Sequence, residues 1–528
     1  MFPPFPQEKA AKVLEELIHA IESGDVRIEQ VARPSEERKN QGIMLGTLVC
    51  TDKNGEKVNL VANSGNAKRL AVRSEKLEVR NCNGTSVATL PRQNFQLSTF
   101  NFQFVDSIVS AEQIENALAK NDAKIHELTE LLKTTDYTDY RECEHSKDVH
   151  RLNAEDKKNL RKERERLCAE SLEKVHALYR FHCIDGKVRS LKEICAEYNH
   201  GKLPPTGTGD CCAPKLLDYA FAHELMPVSL AETRYTAPSG RDWSGGGSRS
   251  EANECERKNE AIAKPRKARP EGDRPITPHS SLLTPQFLTP PCDERCGILL
   301  PAMLGLRILW RDEAICVVNK QSGVLSVPGR GEDKQDCIES RFKRLFGASV
   351  EIAQPAVHRL DMETSGVMIL AFTRAAHREL NRQFEAKEVE KEYVALLDGV
   401  LAKKGVAQHG EMELFFRLDV ENRPHQIWDS KNGKSAVTEW QILGVERYHA
   451  SDGSVRPATR VLFTPHTGRT HQLRLASADS HGFGTPIIGD TLYGHCDKGE
   501  RLRLHAQKVT FTHPVSDERM TIECVAEF

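Results

Sequence analysis

Long hydrophobic runs are missing from this chain. No window approaches about 18 uninterrupted apolar residues, so no membrane-spanning helix is expected. The opening "MFPPFPQEKAAK" has no apolar stretch behind a basic start, so no signal peptide is expected either. An excess of charge of one sign is also absent. Lys and Arg number 74 against 76 Asp and Glu, a formal net charge of −2. That balance excludes a globally basic nucleic-acid binder and restricts any polyanion site to a local patch. The 15 cysteines include no CxxC pair, and their odd number and scattered spacing exclude an ordinary disulfide framework. A reducing, cytoplasmic setting with free thiols is the simplest expectation. Apolar residues make up only 39% of the chain and charged residues 28%, which fits a protein carrying poorly packed segments between its cores.

What is present divides into unlike parts, and the length allows several domains. Residues 1–105 begin with the helical "EKAAKVLEELIHAIESG" and continue as strands, with Asn54-Gly55 as a hairpin turn. Residues 106–182 are highly charged, with apolar residues at three- and four-residue spacing, and predict a helical hairpin or short coiled-coil-like pair. Residues 183–227 hold the compact "GKLPPTGTGDCCAPKLLDYAFAHEL". Its "GTGD" lacks the lysine of a phosphate-binding loop, so nucleotide binding there is not expected. Residues 228–297 include a stretch rich in Gly, Ser, Pro and charge, and read as a flexible linker. From 298 to 528 the pattern turns regular and strand-rich.

Three blocks of this last part carry chemistry. In "VHRLDMETSGVMIL", His358, Arg359 and Asp361 stand in the loop before an apolar run that reads as a central strand. Scaffold-supported loops are where functional groups are presented. A structural Arg359–Asp361 ion pair is the plain alternative, and a carboxylate beside a guanidinium stays ionised near neutral pH. A helix follows in which Arg374, Arg378 and Arg382 share one face, a solvated surface or a phosphate track. Tyr393 begins the next strand. The third block, "TGRTHQLRL", sets Arg469, His471, Gln472 and Arg474 within six residues, a density suited to phosphates and base edges.

Together, "ILWRDEAICVVNKQSGVLSVPGR", "HRLDMETSGVMILAFTRAAHRELNRQF", "KEYVALLDG", "TGRTHQLRL", "PIIGDTLYG" and "LHAQKVTFTHP" resemble the RluA family of RNA pseudouridine synthases. The blocks stand in the family's order across roughly 307 to 515. The wording is closest to the branch that modifies 23S ribosomal RNA and tRNA. The resemblance implies an α+β fold: a mixed, mainly antiparallel sheet with flanking helices and a central cleft, here preceded by a mixed β/helical region. It also implies a cofactor-free isomerisation in which the N1–C1′ bond of uridine breaks, the uracil turns, a C5–C1′ bond forms and the C5 proton leaves. That chemistry needs a carboxylate, a second group for the proton, and a uridine taken out of its stack.

By motif position the resemblance makes Asp361 the catalytic aspartate, Tyr393 the active-site tyrosine and Arg474 the partner that keeps Asp361 charged. Arg359 would enter the RNA where the flipped nucleotide left. His358, Thr364, Arg374, Arg378, Arg382, Arg469, His471 and Gln472 would contact RNA. The sequence departs from the family at Ala476, where a histidine is usual, and at Thr485 before Pro486, in a substrate-facing loop. No match to the S4 RNA-binding domain of many relatives is visible. RNA is the expected partner, the protein a monomer, and no cofactor or metal is expected. Cys211-Cys212 and the Cys292–Cys296 pair could supply zinc with sulfur, but their spacings favour free thiols. An RNA-binding or RNA-folding protein with secondary catalysis is the alternative to an enzyme.

Overall fold

A computed structural model describes residues 5–30, 43–65, 68–72, 101–136, 154–199, 201, 202, 204–236 and 288–528. The chain forms two compact units, Met303 closing the first and Leu304 opening the second. No helix among the described residues is long and apolar enough to cross a membrane.

In the first unit, α1 (Glu8–Ser23) buries Ala10, Val13, Leu14, Leu17 and Ala20, the stripe its three- and four-residue spacing dictates. It stops at Gly24, whose φ of 84° is the left-handed conformation a helix C-cap requires. The strands β1 (Val26–Gln30), β2 (Ile43–Thr51), β3 (Lys57–Asn63), β4 (Lys68–Val72) and β5 (Gln103–Phe104) follow. The β2–β3 turn holds Gly55 at φ 82°, and the Asp52 carboxylate accepts from the Asn54 and Glu56 N–H groups at 2.9 and 2.7 Å. Next, α2 (Ala111–Asp136) and α3 (Ala154–Leu178) pack on each other through Leu128, Leu132 and Leu167. A buried Asn121–Ser171 hydrogen bond of 3.2 Å crosses that pair. After β6 (Arg180–His182), β7 (Val188–Ser190), α4 (Leu191–Tyr198) and α5 (Cys212–Ala222) comes β8 (Met226–Tyr235). The main sheet runs β5-β3-β2-β8.

This last strand corrects the sequence reading, which began the linker at 228. The run from Val228 to Tyr235 alternates too weakly to be recognised as a strand, because most of it is buried, paired with β2 in the sheet and packed against α1 and α5. The Gly- and Ser-rich core of the expected linker, 237–287, lies outside the described residues.

A fully apolar helix, α6 (Cys296–Leu304), leads into the second unit. There the chain runs β9 (Arg307–Arg311), β10 (Ile315–Lys320), α7 (Ile338–Phe346), β11 (Ser365–Ala371), α8 (Arg374–Glu385), β12 (Glu390–Asp398), β13 (His409–Leu418), β14 (Gln426–Trp428), β15 (Lys434–His449), β16 (Val455–Pro465), α9 (Gln472–Ala478), β17 (Leu504–Thr512) and β18 (Arg519–Glu523). A 10-stranded sheet runs β14-β13-β15-β16-β12-β17-β11-β10-β9, with β18 added to β17. Its pairs are antiparallel except β11 with β17. The fold is the expected α+β one. Val317, Val367 and Ile369 pack with Ala376 and Leu380 of α8, while Ala395, Val461 and Phe463 form a second core with Leu473 and Phe483.

Where β11 meets β17, Gly366 has φ 119°, and a Cβ there would stand 2.2 Å from the Ala506 carbonyl oxygen. Both the backbone conformation and the contact demand glycine. Gly366→Ala is therefore expected to destabilise the unit by about 3 kcal/mol or more, read as a lowered urea midpoint. A midpoint equal to wild type would show that the two strands can separate at no cost.

Candidate active site

The segment 357–364 crosses the mouth of β11 with almost none of the regular bonding of a strand. Side chains from the end of β10 and the turn after it replace it. Lys320, fully buried, directs its ammonium to the carbonyls of Met362 (2.9 Å), Thr364 (2.7 Å) and Gln321 (3.0 Å). Ser322 donates to the Glu363 carbonyl at 2.6 Å. Ser326 donates to the Leu360 carbonyl at 2.6 Å and accepts from the Leu360 N–H at 2.9 Å. The backbone on both sides of Asp361 is thus tied down carbonyl by carbonyl, which fixes where its side chain points. Burial pushes the Lys320 ammonium down to about 7, with the Asp361 charge pulling it back up. Three carbonyl partners each need an N–H, so the geometry is built around the charged form.

Asp361 opens onto a cleft of about 150 Å³ lined also by Arg359, Thr364, Lys391, Tyr393, Arg469, His471 and Arg474. Its carboxylate takes no hydrogen bond from any described residue, so its lone pairs are free for a ligand. Tyr393 faces it from β12, beside a bulge at Glu392/Tyr393 in the pairing with β17. Burial, reinforced by the Asp361 charge, holds the tyrosine pKa far above 10 and keeps the hydroxyl protonated. The Thr364 hydroxyl is buried at the cleft without a partner among the described residues. Such an orphaned group is costly unless something else satisfies it.

Arg474, 2% exposed on the short α9, is placed differently from the sequence expectation. Its Nε and Nη2 form a fork on Asp490 at 2.9 and 2.6 Å, and Nη2 also reaches Glu363 at 2.8 Å. Asp361 acts on it through charge alone. Burial opposes the cation, but these carboxylates outweigh it and raise its pKa. Asp490, fully buried, also accepts from the N–H groups of Leu492 and Tyr493 at 2.9 and 3.0 Å.

Several residues expected to contact RNA are committed to the fold instead. Both amide ends of Gln472 are used: its oxygen accepts from Thr467 and the Arg469 N–H, and its nitrogen donates to Val437 and Thr438. His358 accepts the Ile369 N–H at 3.0 Å and stacks on Phe384 at 4.9 Å. Burial, with Lys391 nearby, pushes His358 down to about 3, so it stays neutral. Arg374, Arg378 and Arg382 are all exposed on α8, and Arg382 also pairs with Glu379 and Glu388. Arg359 is exposed at the cleft with no partner among the described residues. Arg469 lines the cleft while its Nε donates to the Ser435 carbonyl at 2.9 Å. His471, at φ 55°, shares a 2.7 Å hydrogen bond between its Nδ1 and the Tyr493 hydroxyl, and burial lowers its pKa although Asp361 opposes.

The sequence reading missed Lys320, Ser322, Ser326, Glu363, Lys391 and Asp490. The available signal was the demand of buried Arg474 for a carboxylate, which "PIIGD" supplies. Among the described residues, no group of three metal-ligating side chains gathers at the cleft.

A family model described as RNA pseudouridylate synthase matches residues 314–479. The dual-specificity RNA pseudouridine synthase RluA of Haemophilus influenzae is 42% identical over 226 residues, covering 42% of this chain and 94% of that protein. Its Yersinia pestis namesake is 42% identical over 224 residues, 42% of this chain and 99% of that protein. The Escherichia coli K12 namesake is 40% identical over 226 residues, 42% of this chain and 94% of that protein. Among solved structures, human RNA pseudouridylate synthase domain containing 1 aligns with a TM-score of 0.33 and 27% identity, over 42% of this chain and 83% of that chain. The second unit therefore carries an RNA pseudouridine synthase. Within that class, the chain belongs to the RluA family.

Proposed function

We propose that this enzyme isomerises particular uridines in structured RNA, 23S ribosomal RNA or tRNA or both, with Asp361 as the catalytic carboxylate. The observation that carries the assignment is the unbonded Asp361 carboxylate, held over the cleft by a backbone that Lys320, Ser322 and Ser326 immobilise. A carboxylate with free lone pairs in a preorganised loop suits attack on the nucleoside or transfer of its proton. The dual-specificity name of the relatives fits a target set of more than one RNA. Arg359, uncommitted at the rim, is the side chain placed to enter the space left by a flipped nucleotide. The test is pseudouridine mapping of total RNA from cells with and without the gene, joined to tritium release from C5-labelled transcripts by the purified chain. Absence of any site-specific loss, with no tritium released from either RNA class, rejects the proposal.

Tyr393 is assigned to the uracil, stacking on it and serving C5 deprotonation. Tyr393→Phe keeps the ring and removes only the hydroxyl. It should lower the rate of tritium release by about 10²-fold while RNA affinity stays within about twofold. An unchanged rate would confine Tyr393 to packing.

A further inference from the structure

The cysteines of the first unit were expected to be free thiols because no CxxC pair follows Cys211-Cys212. The structure supplies the third member from a distance. Cys211, Cys292 and Cys296 bring their sulfurs within 4.8 Å of one another. Three sulfurs at tetrahedral corners about 2.3 Å from a zinc ion lie about 3.8 Å apart, so small rotamer adjustments complete such a shell.

The surroundings suit an ion more than three resting thiols. Cys211 caps α5 in an extended conformation, with a side chain that makes no cap hydrogen bond. Cys296 opens α6, and the Cys292 sulfur faces the backbone N–H groups of Arg295 and Cys296. Backbone N–H groups aimed at sulfur, at helix N-termini, favour thiolates. Glu232 lies beside the group, 5% exposed, with Oε1 on the Ala213 N–H at 3.0 Å, and forms no ion pair among the described residues. Its carboxyl is coupled by charge to Cys211, Cys292 and Cys296. A buried carboxyl thus stands beside three sulfurs with no cationic side chain ion-paired to it among the described residues, a gathering of donor groups that a divalent cation would satisfy. Cys292 is exposed, Cys211 half-buried and Cys296 buried, so the cluster opens to solvent on one side.

We propose that Cys211, Cys292 and Cys296 bind one zinc ion through three thiolates, leaving the fourth position to an oxygen donor. Three Zn–S bonds form as the thiol protons leave to solvent. No electron moves, and the role assigned to the ion is to hold the two segments together. It joins the "PPTGTGDCC" turn to the "PPCDERC" segment across the intervening chain, and binding an ion there stabilises the folded unit.

Elemental analysis of the full chain, purified in reducing buffer without chelator, should find about one zinc per molecule. Cys292→Ser/Cys296→Ser should retain less than about a tenth of it, while Cys168→Ser, at an exposed position on α3, keeps it all. Should the double variant fail to fold, the wild-type protein still decides the matter. Titration with an organomercurial should release zinc to a chromogenic chelator, and cobalt(II) exchanged into the chain should show sulfur-to-metal charge transfer. Zinc below about a tenth of an equivalent together with no cobalt–thiolate band overturns the proposal. So does a disulfide between any two of the three cysteines, found by mass spectrometry after alkylation under denaturing conditions.

Discussion

Asp361→Asn should slow tritium release from C5-labelled RNA on the order of 10³-fold and leave the fold intact. The substitution is isosteric, and the native carboxylate takes no hydrogen bond from any described residue, so no intramolecular bond is lost. The bonds that shape the loop go to backbone atoms: Lys320 to the Met362 and Thr364 carbonyls, Ser326 to Leu360, and the Thr364 N–H to the Asp361 carbonyl at 3.1 Å. What disappears is a negative charge and a nucleophilic or basic oxygen. The charge opposes the fall of the Lys320 and His471 pKa values, so both should fall further in the variant. Circular dichroism and RNA affinity should match wild type. Activity within about tenfold of wild type would remove Asp361 from the chemistry.

The second large effect concerns stability. Asp490→Ala should cost about 3–5 kcal/mol, because it strands a guanidinium only 2% exposed with Glu363 as its remaining carboxylate. It also leaves the Leu492 and Tyr493 N–H groups without their acceptor. Against a total stability of about 5–15 kcal/mol that loss is severe, and the urea midpoint of the unit should fall accordingly. Arg474→Met/Asp490→Leu removes both charges and should regain much of the stability while activity stays low. That split separates the arginine's part in the cleft's electrostatics from its part in holding the fold. A midpoint for Asp490→Ala within about 1 kcal/mol of wild type would show that water already compensates Arg474.

The legible elements are those whose apolar period or run is unambiguous. The apolar run after Asp361 and the segment that Tyr393 begins read as strands and are β11 and β12, with Val367 to Ala371 and Val394 to Leu397 buried. Ala376 and Leu380 announced the packed face of α8. Three motif residues, Asp361, Tyr393 and Arg474, do converge on one cleft. The rest was hidden because its partners are backbone atoms or distant in sequence. Nothing in "NKQSG" says that a lysine will bond carbonyls some forty positions later. Gln472 and His358 look like recognition residues by type, yet both Gln472 amide ends and the His358 Nε2 are spent inside the fold. A residue's donors are countable from sequence; whether they remain available is decided by tertiary neighbours.

The place of β17 sets the order of assembly. It lies between β12 and β11, and without it the sheet falls into two ribbons, β14-β13-β15-β16-β12 and β11-β10-β9, each with an open inner edge. Ser365 and Gly366 pair with His505 and Ala506, so β11 is completed by residues some 140 positions later in the chain. During synthesis the loop that carries Asp361 must wait for nearly the whole unit to leave the ribosome. A chain cut before Leu504 would present two unsatisfied strand edges, a template for aggregation rather than a weakened enzyme.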